Sequence, residues 1–283
     1  IDDNEVHHLR KLCDEVFGAD NFISEIIWQK KYSPQNDAKY FSEMHDHILC
    51  YAKHKKNNGN QGWSINLLPR TEEQNKRYTN PDNDPRGDWK AGDFLVKTFS
   101  EAYVYSIETP SGRKVNPPKG RCWRTSEENY LKFKEDNRIW FGKDGNNVPS
   151  IKRFLTEVKQ GITPSTIWFR EDVGDNQEAA YQLNQLFDFV PFDTPKPTRL
   201  MQRILHLALN EDDIILDFFT GSGTTGHSIL QDLSISKNRK FILVQLPEAT
   251  DPKSEAYKAG YKKISDITIE RNKRVIEKII EEK

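Results

Sequence analysis

Apolar and polar positions along this chain switch between two periods. Apolar residues spaced by three and four predict helices over Val6–Phe17, 177–187 and 199–209. Ile269, Val275, Ile276, Ile279 and Ile280 give a closing amphipathic helix by the same spacing. Short apolar runs predict strands at 23–28, 48–52, 214–216 and 241–246, the first two separated by a polar loop carrying Tyr32, Pro34, Asn36 and His45. Beyond Lys53 the composition turns to Asn, Gly and Gln, which puts a boundary near 57–61. The breakers at 80–87 and 117–120 mark an irregular region after it, and a Pro195–Pro197 turn precedes the helix at 199–209. Three segments follow: 1–60 and 176–283 as parts of an α/β domain, and 61–175 as an inserted region.

The densest signal is Ile214-Ile215-Leu216-Asp217-Phe218-Phe219-Thr220-Gly221-Ser222-Gly223-Thr224-Thr225-Gly226. It reads as a buried strand that turns sharply through glycines into a helix starting near Thr224. Glycine permits positive φ and close ligand approach, and the free amides of the first helical turn would face a nucleotide or nucleoside. The same letters satisfy the Gly-x-Gly-x-x-Gly fingerprint, so a dinucleotide-dependent oxidoreductase is one alternative. Fewer than sixty residues follow Gly226, too few for the βαβ units such a domain goes on to build. An ordinary tight turn without ligand is the other alternative.

Composition adds bounds. The 283 residues, 35% hydrophobic and 30% charged, suit a globular protein with a sizeable core. No signal segment or membrane span is visible, so a cytoplasmic location is expected. Cys13, Cys50 and Cys122 are too scattered for a metal or disulfide pattern, and no metal site is expected. Ile1 is not an initiator, and the chain reads as part of a longer polypeptide. Net charge is −1, but residues 110–170 carry thirteen Lys or Arg against six acids, interleaved with Trp123, Tyr130, Trp140, Phe141 and Trp168. That mixture suits a phosphate backbone and stacked bases, and equally a charged surface over an aromatic core.

Several segments together resemble the modification (Mod) subunits of type III restriction–modification systems, which are adenine-N6 DNA methyltransferases of the permuted β order. They are Ile1-Asp2-Asp3-Asn4-Glu5, Gly120-Arg121-Cys122-Trp123-Arg124, Arg138-Ile139-Trp140-Phe141-Gly142-Lys143-Asp144-Gly145 and Pro164-Ser165-Thr166-Ile167-Trp168, then Thr194-Pro195-Lys196-Pro197, Asp217-Phe218-Phe219-Thr220-Gly221-Ser222-Gly223 and Phe241-Ile242-Leu243-Val244-Gln245-Leu246-Pro247-Glu248. The resemblance covers nearly the whole chain. It implies a three-layer, Rossmann-like α/β sheet of permuted order, incomplete here, with an inserted target-recognition region. It implies S-adenosylmethionine (SAM) as methyl donor and direct transfer to a flipped adenine. No cysteine follows a proline, which agrees with chemistry that needs no thiol nucleophile.

On this resemblance the cofactor is met by Asp217, Phe219 as an apolar wall, Gly221, Ser222, Gly223 and Thr224, with Thr194 and Lys196 closing the other side. Gln245 stands where relatives place an acid for the ribose hydroxyls, and an amide supplies fewer acceptors. Arg121, Arg124 and Lys143 are the DNA-binding candidates. Trp28 and Tyr32 are candidates for lining the base pocket, Trp28 being equally suited to packing. The family's catalytic Asp-Pro-Pro-Tyr is absent, and in the β order it precedes residue 1. Asn116-Pro117-Pro118-Lys119 is no substitute, since Lys119 has no aromatic face. No catalytic residue is therefore expected within the chain, and the polypeptide is expected to be inactive alone. The implied partners are double-stranded DNA, a second copy of the full subunit and an ATP-dependent restriction subunit. A DNA-binding specificity module without catalysis of its own is the alternative.

Overall fold

The computed structural model describes residues 1–57, 60–233 and 238–282. Helix α1 (Val6–Phe17) leads into strand β1 (Phe22–Gln29), which pairs antiparallel with β2 (His45–Tyr51). Residues 69–162 then form a compact unit of their own. In it β3 (Trp89–Asp93), α2 (Glu127–Glu135), β4 (Ile139–Trp140) and β5 (Ser150–Phe154) follow in turn, the strands ordered β4–β5–β3 and antiparallel. The chain returns to the first unit through β6 (Ile167–Trp168), α3 (Asn176–Phe187) and α4 (Thr198–Ala208). It ends with β7 (Ile214–Asp217), α5 (Thr224–Leu233), β8 (Lys240–Leu243) and α6 (Ile264–Glu281).

In the first unit β6 adds to β1 in parallel, with Trp28 opposite Trp168, so residues far apart in sequence share one core. Trp28, Trp168, Val173, Leu200 and Leu207 are buried together there, with Ile26 and Ile48 against them. The Trp28 indole N–H donates to the Gly174 carbonyl at 2.9 Å, which satisfies the one polar atom such a ring buries. A second cluster, Leu183, Phe187, Ala256 and Ile267, joins α3 to α6. Asp175 caps α3 by accepting the Glu178 N–H at 2.9 Å.

The first unit holds more chain than the expected 1–60 and 176–283. Ile65 and Leu68 pack onto the Trp28 cluster, and the Asn66 side chain donates to the carbonyls of His206 and Leu209. Residues 163–175 supply β6 and Val173 to that same core, so the inserted unit is 69–162 rather than 61–175. Part of the boundary expected near 57–61 lies outside the described residues.

Two elements bury different residues from those the pattern suggested. β7 and β8 pair in parallel, but Ile214, Leu216 and Ile242 are exposed on one face while Ile215 and Leu243 are partly covered on the other. The expected buried strand is thus covered on one face only, and among the described residues these two strands form a sheet separate from β6–β1–β2. The closing helix buries Ile267, Thr268, Arg271 and Val275, leaving Ile269, Ile276 and Ile280 exposed.

The inserted unit has an aromatic core of Phe94, Trp123, Tyr130 and Phe141, with Ile107, Val115 and Ile139. Beneath Trp89, the fully buried Lys152 ammonium pairs with Asp82 and, at 3.0 Å, with Asp84. Arg86 forks onto both Asp84 oxygens at 2.8 Å, and its hydrogen bonds are the main reason that carboxyl is held well below its usual range. Removing one partner of such a buried network strands the others. Lys152→Met is expected to cost about 3–5 kcal/mol, read in the intact chain as lost hydrogen-exchange protection of the β3 and β5 amides.

Candidate cofactor site at the glycine turn

The turn after β7 is braced from three directions. The Asp217 carboxylate accepts the Phe219 N–H at 3.1 Å and the Thr225 hydroxyl at 2.6 Å, linking strand end, turn and first helical turn. Gln245 Oε1 accepts the Gly221 N–H at 2.7 Å, and the Thr268 hydroxyl of α6 donates to the Gly221 carbonyl at 2.6 Å. Gly221 and Gly223 lie at φ 54° and 81°, the left-handed region that a side chain disfavours. At Gly226 the requirement is closeness instead: a Cβ there would stand 2.2 Å from Asn272 Oδ1 and 2.8 Å from Leu243 Cδ1. The three glycines therefore divide the work as a phosphate- or nucleoside-facing turn does, two for conformation and one for helix packing.

Ser222 and Thr224 turn inward. Their hydroxyls accept from Arg271 Nη1 at 3.0 and 2.8 Å, and Arg271 Nε donates to His227 Nδ1 at 3.2 Å. A ligand in front of the turn would meet these two residues through backbone atoms, not through the hydroxyls. Arg271 is fully buried with no carboxylate among these partners, and its Nη2 has none among the described residues. Burial lowers the guanidinium to about 9. Burial, then the charges of Arg271 and Lys278, lowers the His227 imidazole to about 3, so it is neutral and acts as acceptor.

The 194–197 segment meets the turn through the backbone. The Thr224 hydroxyl donates to the Lys196 carbonyl at 3.1 Å. The Lys196 ammonium reaches Asp46 Oδ2 at 2.8 Å and lies 4.9 Å from the centre of the Trp28 ring, while Lys30 takes Asp46 Oδ1 at 2.7 Å. Burial alone would raise the Asp46 carboxyl, but the hydrogen bonds from Lys196 and Lys30 outweigh it and hold it at about 2. Thr194 is exposed, as is Phe219, whose ring is 4.9 Å from that of Phe218. Trp28 is packed in the core; Tyr32 is exposed under the Arg170 guanidinium, 4.1 Å from its ring centre. An apolar cavity of about 240 Å³ lies elsewhere in this unit, lined by Ile26, Ile48, Trp168 and Ile204. It has too few polar groups to orient a nucleoside.

Sequence reading missed Arg271, His227, Asp46, Lys30 and Phe192, whose ring sits 3.4 Å from where a Gly221 Cβ would be. Arg271 had a visible signal: Ile267, Arg271 and Val275 are spaced by four, a charge set in an apolar stripe.

In the inserted unit Arg121, Arg124 and Lys143 are all exposed. Arg124 Nε donates to the Asp93 carbonyl at 2.9 Å, and neither Arg121 nor Lys143 forms an ion pair among the described residues. Trp123, Tyr130 and Phe141 are buried, so they form the core rather than a stacking surface for bases. Lys152 and Arg138 are neutralised within the unit, the latter by Asp136 and Glu157.

A strand, a braced glycine turn and a packed helix define an α/β protein. The chain belongs to the DNA methylase family, whose model matches residues 1–249. It is 35% identical to the type III restriction-modification enzyme StyLTI Mod subunit of Salmonella typhimurium, over 99% of this chain and 42% of that protein. The EcoP15I Mod subunit of Escherichia coli is 28% identical over 96% of this chain and 46% of its own length. The type II methyltransferase M.KpnI of Klebsiella pneumoniae is 29% identical over 96% of this chain and 67% of its own. The chain thus spans less than half the length of these Mod subunits. Among the described residues no helix is long and apolar enough to cross a membrane.

His227 makes the turn's support sensitive to acid. Its folded value lies below its ordinary 6.5, so the unfolded chain binds the extra proton between the two. Stability is full above about pH 6.5 and declines as pH falls towards 3. Urea unfolding is expected to show a loss on the order of 2 kcal/mol between pH 6.5 and 5, absent in His227→Gln.

Proposed function

We propose that this polypeptide carries the SAM-binding part and the target-recognition region of a site-specific DNA adenine-N6 methyltransferase, the modification subunit of a type III restriction–modification system. The observation that carries the reading is the turn at 220–224, fixed by Asp217, Gln245, Thr268 and Arg271 in a chain of the DNA methylase family. SAM supplies the methyl group when bound. Gly221, Gly223 and the amides opening α5 face its amino-acid end, Asp217 sets the turn, and the exposed Phe219 ring offers an apolar wall. Lys196 and Thr194 border the pocket from the α4 side, where Asp46 fixes the ammonium. The Gln245 Oε1 already holds Gly221, so its contribution to a ribose is indirect.

In this reading β7–β8 and β6–β1–β2 are parts of one permuted, three-layer methyltransferase sheet. Methyl transfer then requires the Asp-Pro-Pro-Tyr segment that the resemblance calls for, and the complete subunit works as a dimer with a restriction subunit. Three relatives are named as Mod subunits of type III restriction-modification enzymes, which supports that assignment.

Calorimetric titration with S-adenosylhomocysteine, beside a matched NAD titration, tests the pocket. Saturable binding of the first ligand alone is expected, weakened at least tenfold by Gly223→Ala, whose Cβ would press to 3.1 Å from the Thr268 carbonyl. Binding of NAD alone would return the chain to the dinucleotide proteins.

The exposed cations of the inserted unit support DNA binding, and a specificity module without its own catalysis would share them. Double-stranded DNA binding is expected to weaken with salt. Each of Arg121→Ala, Arg124→Ala and Lys143→Ala should lower the log–log salt slope by about 1. Unchanged slopes in all three would remove this surface from the interface.

A further inference from the structure

Away from the glycine turn, four residues that no part of the proposed reaction uses come together on the β1–β2 sheet. His45 and His47 are two apart on β2, so both side chains project from the same face, opposite to the Asp46 that the lysines hold. Their rings are 4.9 Å apart, edge to face. Asp3 approaches from the turn before α1, its Oδ1 lying 2.7 Å from His47 Nε2 and 3.7 Å from His45 Nε2. One donor atom from each of Asp3, His45 and His47 lies within 4.8 Å of the other two. The turn is fixed to the strand by its own backbone, the His47 N–H donating to the Ile1 carbonyl at 2.7 Å.

We propose that Asp3, His45 and His47 form a binding site for a divalent transition metal of the zinc type, which clasps the lead-in to α1 onto β2. Two imidazole nitrogens and one carboxylate oxygen suit zinc far better than calcium or magnesium, which prefer all-oxygen sites. Tetrahedral zinc at 2.0–2.1 Å from its ligands holds them about 3.3 Å from one another. The His45–Asp3 spacing closes by about 0.4 Å to reach that value, and the His47–Asp3 spacing opens by about 0.6 Å as the ion replaces the shared proton. That proton is released to solvent, and a water fills the fourth position.

Two further observations favour a metal over a hydrogen-bonded clamp. Glu25 Oε1 lies 2.5 Å from His47 Nδ1, the ring nitrogen facing away from the cluster. A carboxylate on the far nitrogen is the usual way a ligating histidine is oriented, with its other lone pair directed at the ion. His45, moreover, makes no side-chain hydrogen bond among the described residues, while its Nε2 lies 3.7 Å from Asp3 Oδ1. A clamp made by His47 with Asp3 and Glu25 leaves His45 only a long 3.7 Å approach to Asp3 and a ring contact with His47. The ion makes it a ligand.

The site is independent of the methyl-transfer reading, and its test uses neither SAM nor DNA. The full chain, stripped of metal by chelation, is titrated with zinc chloride in a calorimeter, and with cobalt(II) for its visible spectrum. One equivalent of zinc is expected, with a raised melting temperature and the intense bands of tetrahedral cobalt. Affinity should fall at least 100-fold in His45→Ala and in Asp3→Asn, and about 10–100-fold in Glu25→Gln, where the ligands remain but the orienting charge is gone. Circular dichroism of the metal-free variants checks their folding. X-ray absorption of the unmutated chain must show two imidazoles on the metal and no sulfur. No saturable binding, binding unaltered in both His45→Ala and Asp3→Asn, or a sulfur ligand would each overturn the proposal.

Discussion

The fully buried Arg271 guanidinium is the constraint on which the candidate site depends. Among the described residues it holds a positive charge between α5 and α6 without a carboxylate partner, bonded to the Ser222 and Thr224 hydroxyls, the Ser222 carbonyl and a neutral imidazole. Desolvating such a charge is costly, as the guanidinium's lowered value records. In return one rigid, planar group with several donors fixes both sides of the glycine turn at once, which a lysine at this position would not do. Gly221 is held separately, by Gln245 from the β8 side and by Thr268 from α6.

Helix α6 therefore belongs to the site as much as the glycine motif does. The motif supplies conformations only glycine adopts readily, and Thr268, Arg271 and Asn272 pack behind it. Asn272 fills the space a Cβ at Gly226 would need, so helix packing and ligand-facing geometry are set by one surface. On the other side, the ion triad of Asp46 with Lys30 and Lys196 ties β2 to the segment that enters α4. The site is assembled from elements spread across the whole first unit.

Much of this was legible in the sequence because it depends on local pattern. The limits of α1, the existence of β1 and β2 and the entry to α5 follow from periodicity and turn chemistry, whereas the turn expected at Pro195–Pro197 is extended chain, the bends falling at 192–194. What was not legible depends on tertiary neighbours. The inward direction of Ser222 and Thr224 is set by Arg271, nearly fifty residues later, and the half-covered faces of β7 and β8 by what packs on only one side. The aromatic residues of the basic stretch illustrate the limit well: composition fits a stacking surface and a core equally, and only Trp123 seen at zero exposure decides for the core. His45 was expected in the loop before a strand at 48–52, but the strand begins at His45 itself, which sets His45 and His47 on one face beside Asp3, more than forty residues away.

The pairing of β1 with β6 has a consequence for how the chain is made. Ile27 and Ile167 face each other across a parallel ladder, so the core around Trp28 cannot close until the whole of 69–162 has been synthesised. The inserted unit is contiguous and has its own aromatic core. On the ribosome it can fold first, while β1 and β2 wait with one flank uncovered. Closing that long loop demands chain entropy before any contact repays it, which makes the first unit the slower and more aggregation-exposed of the two during synthesis.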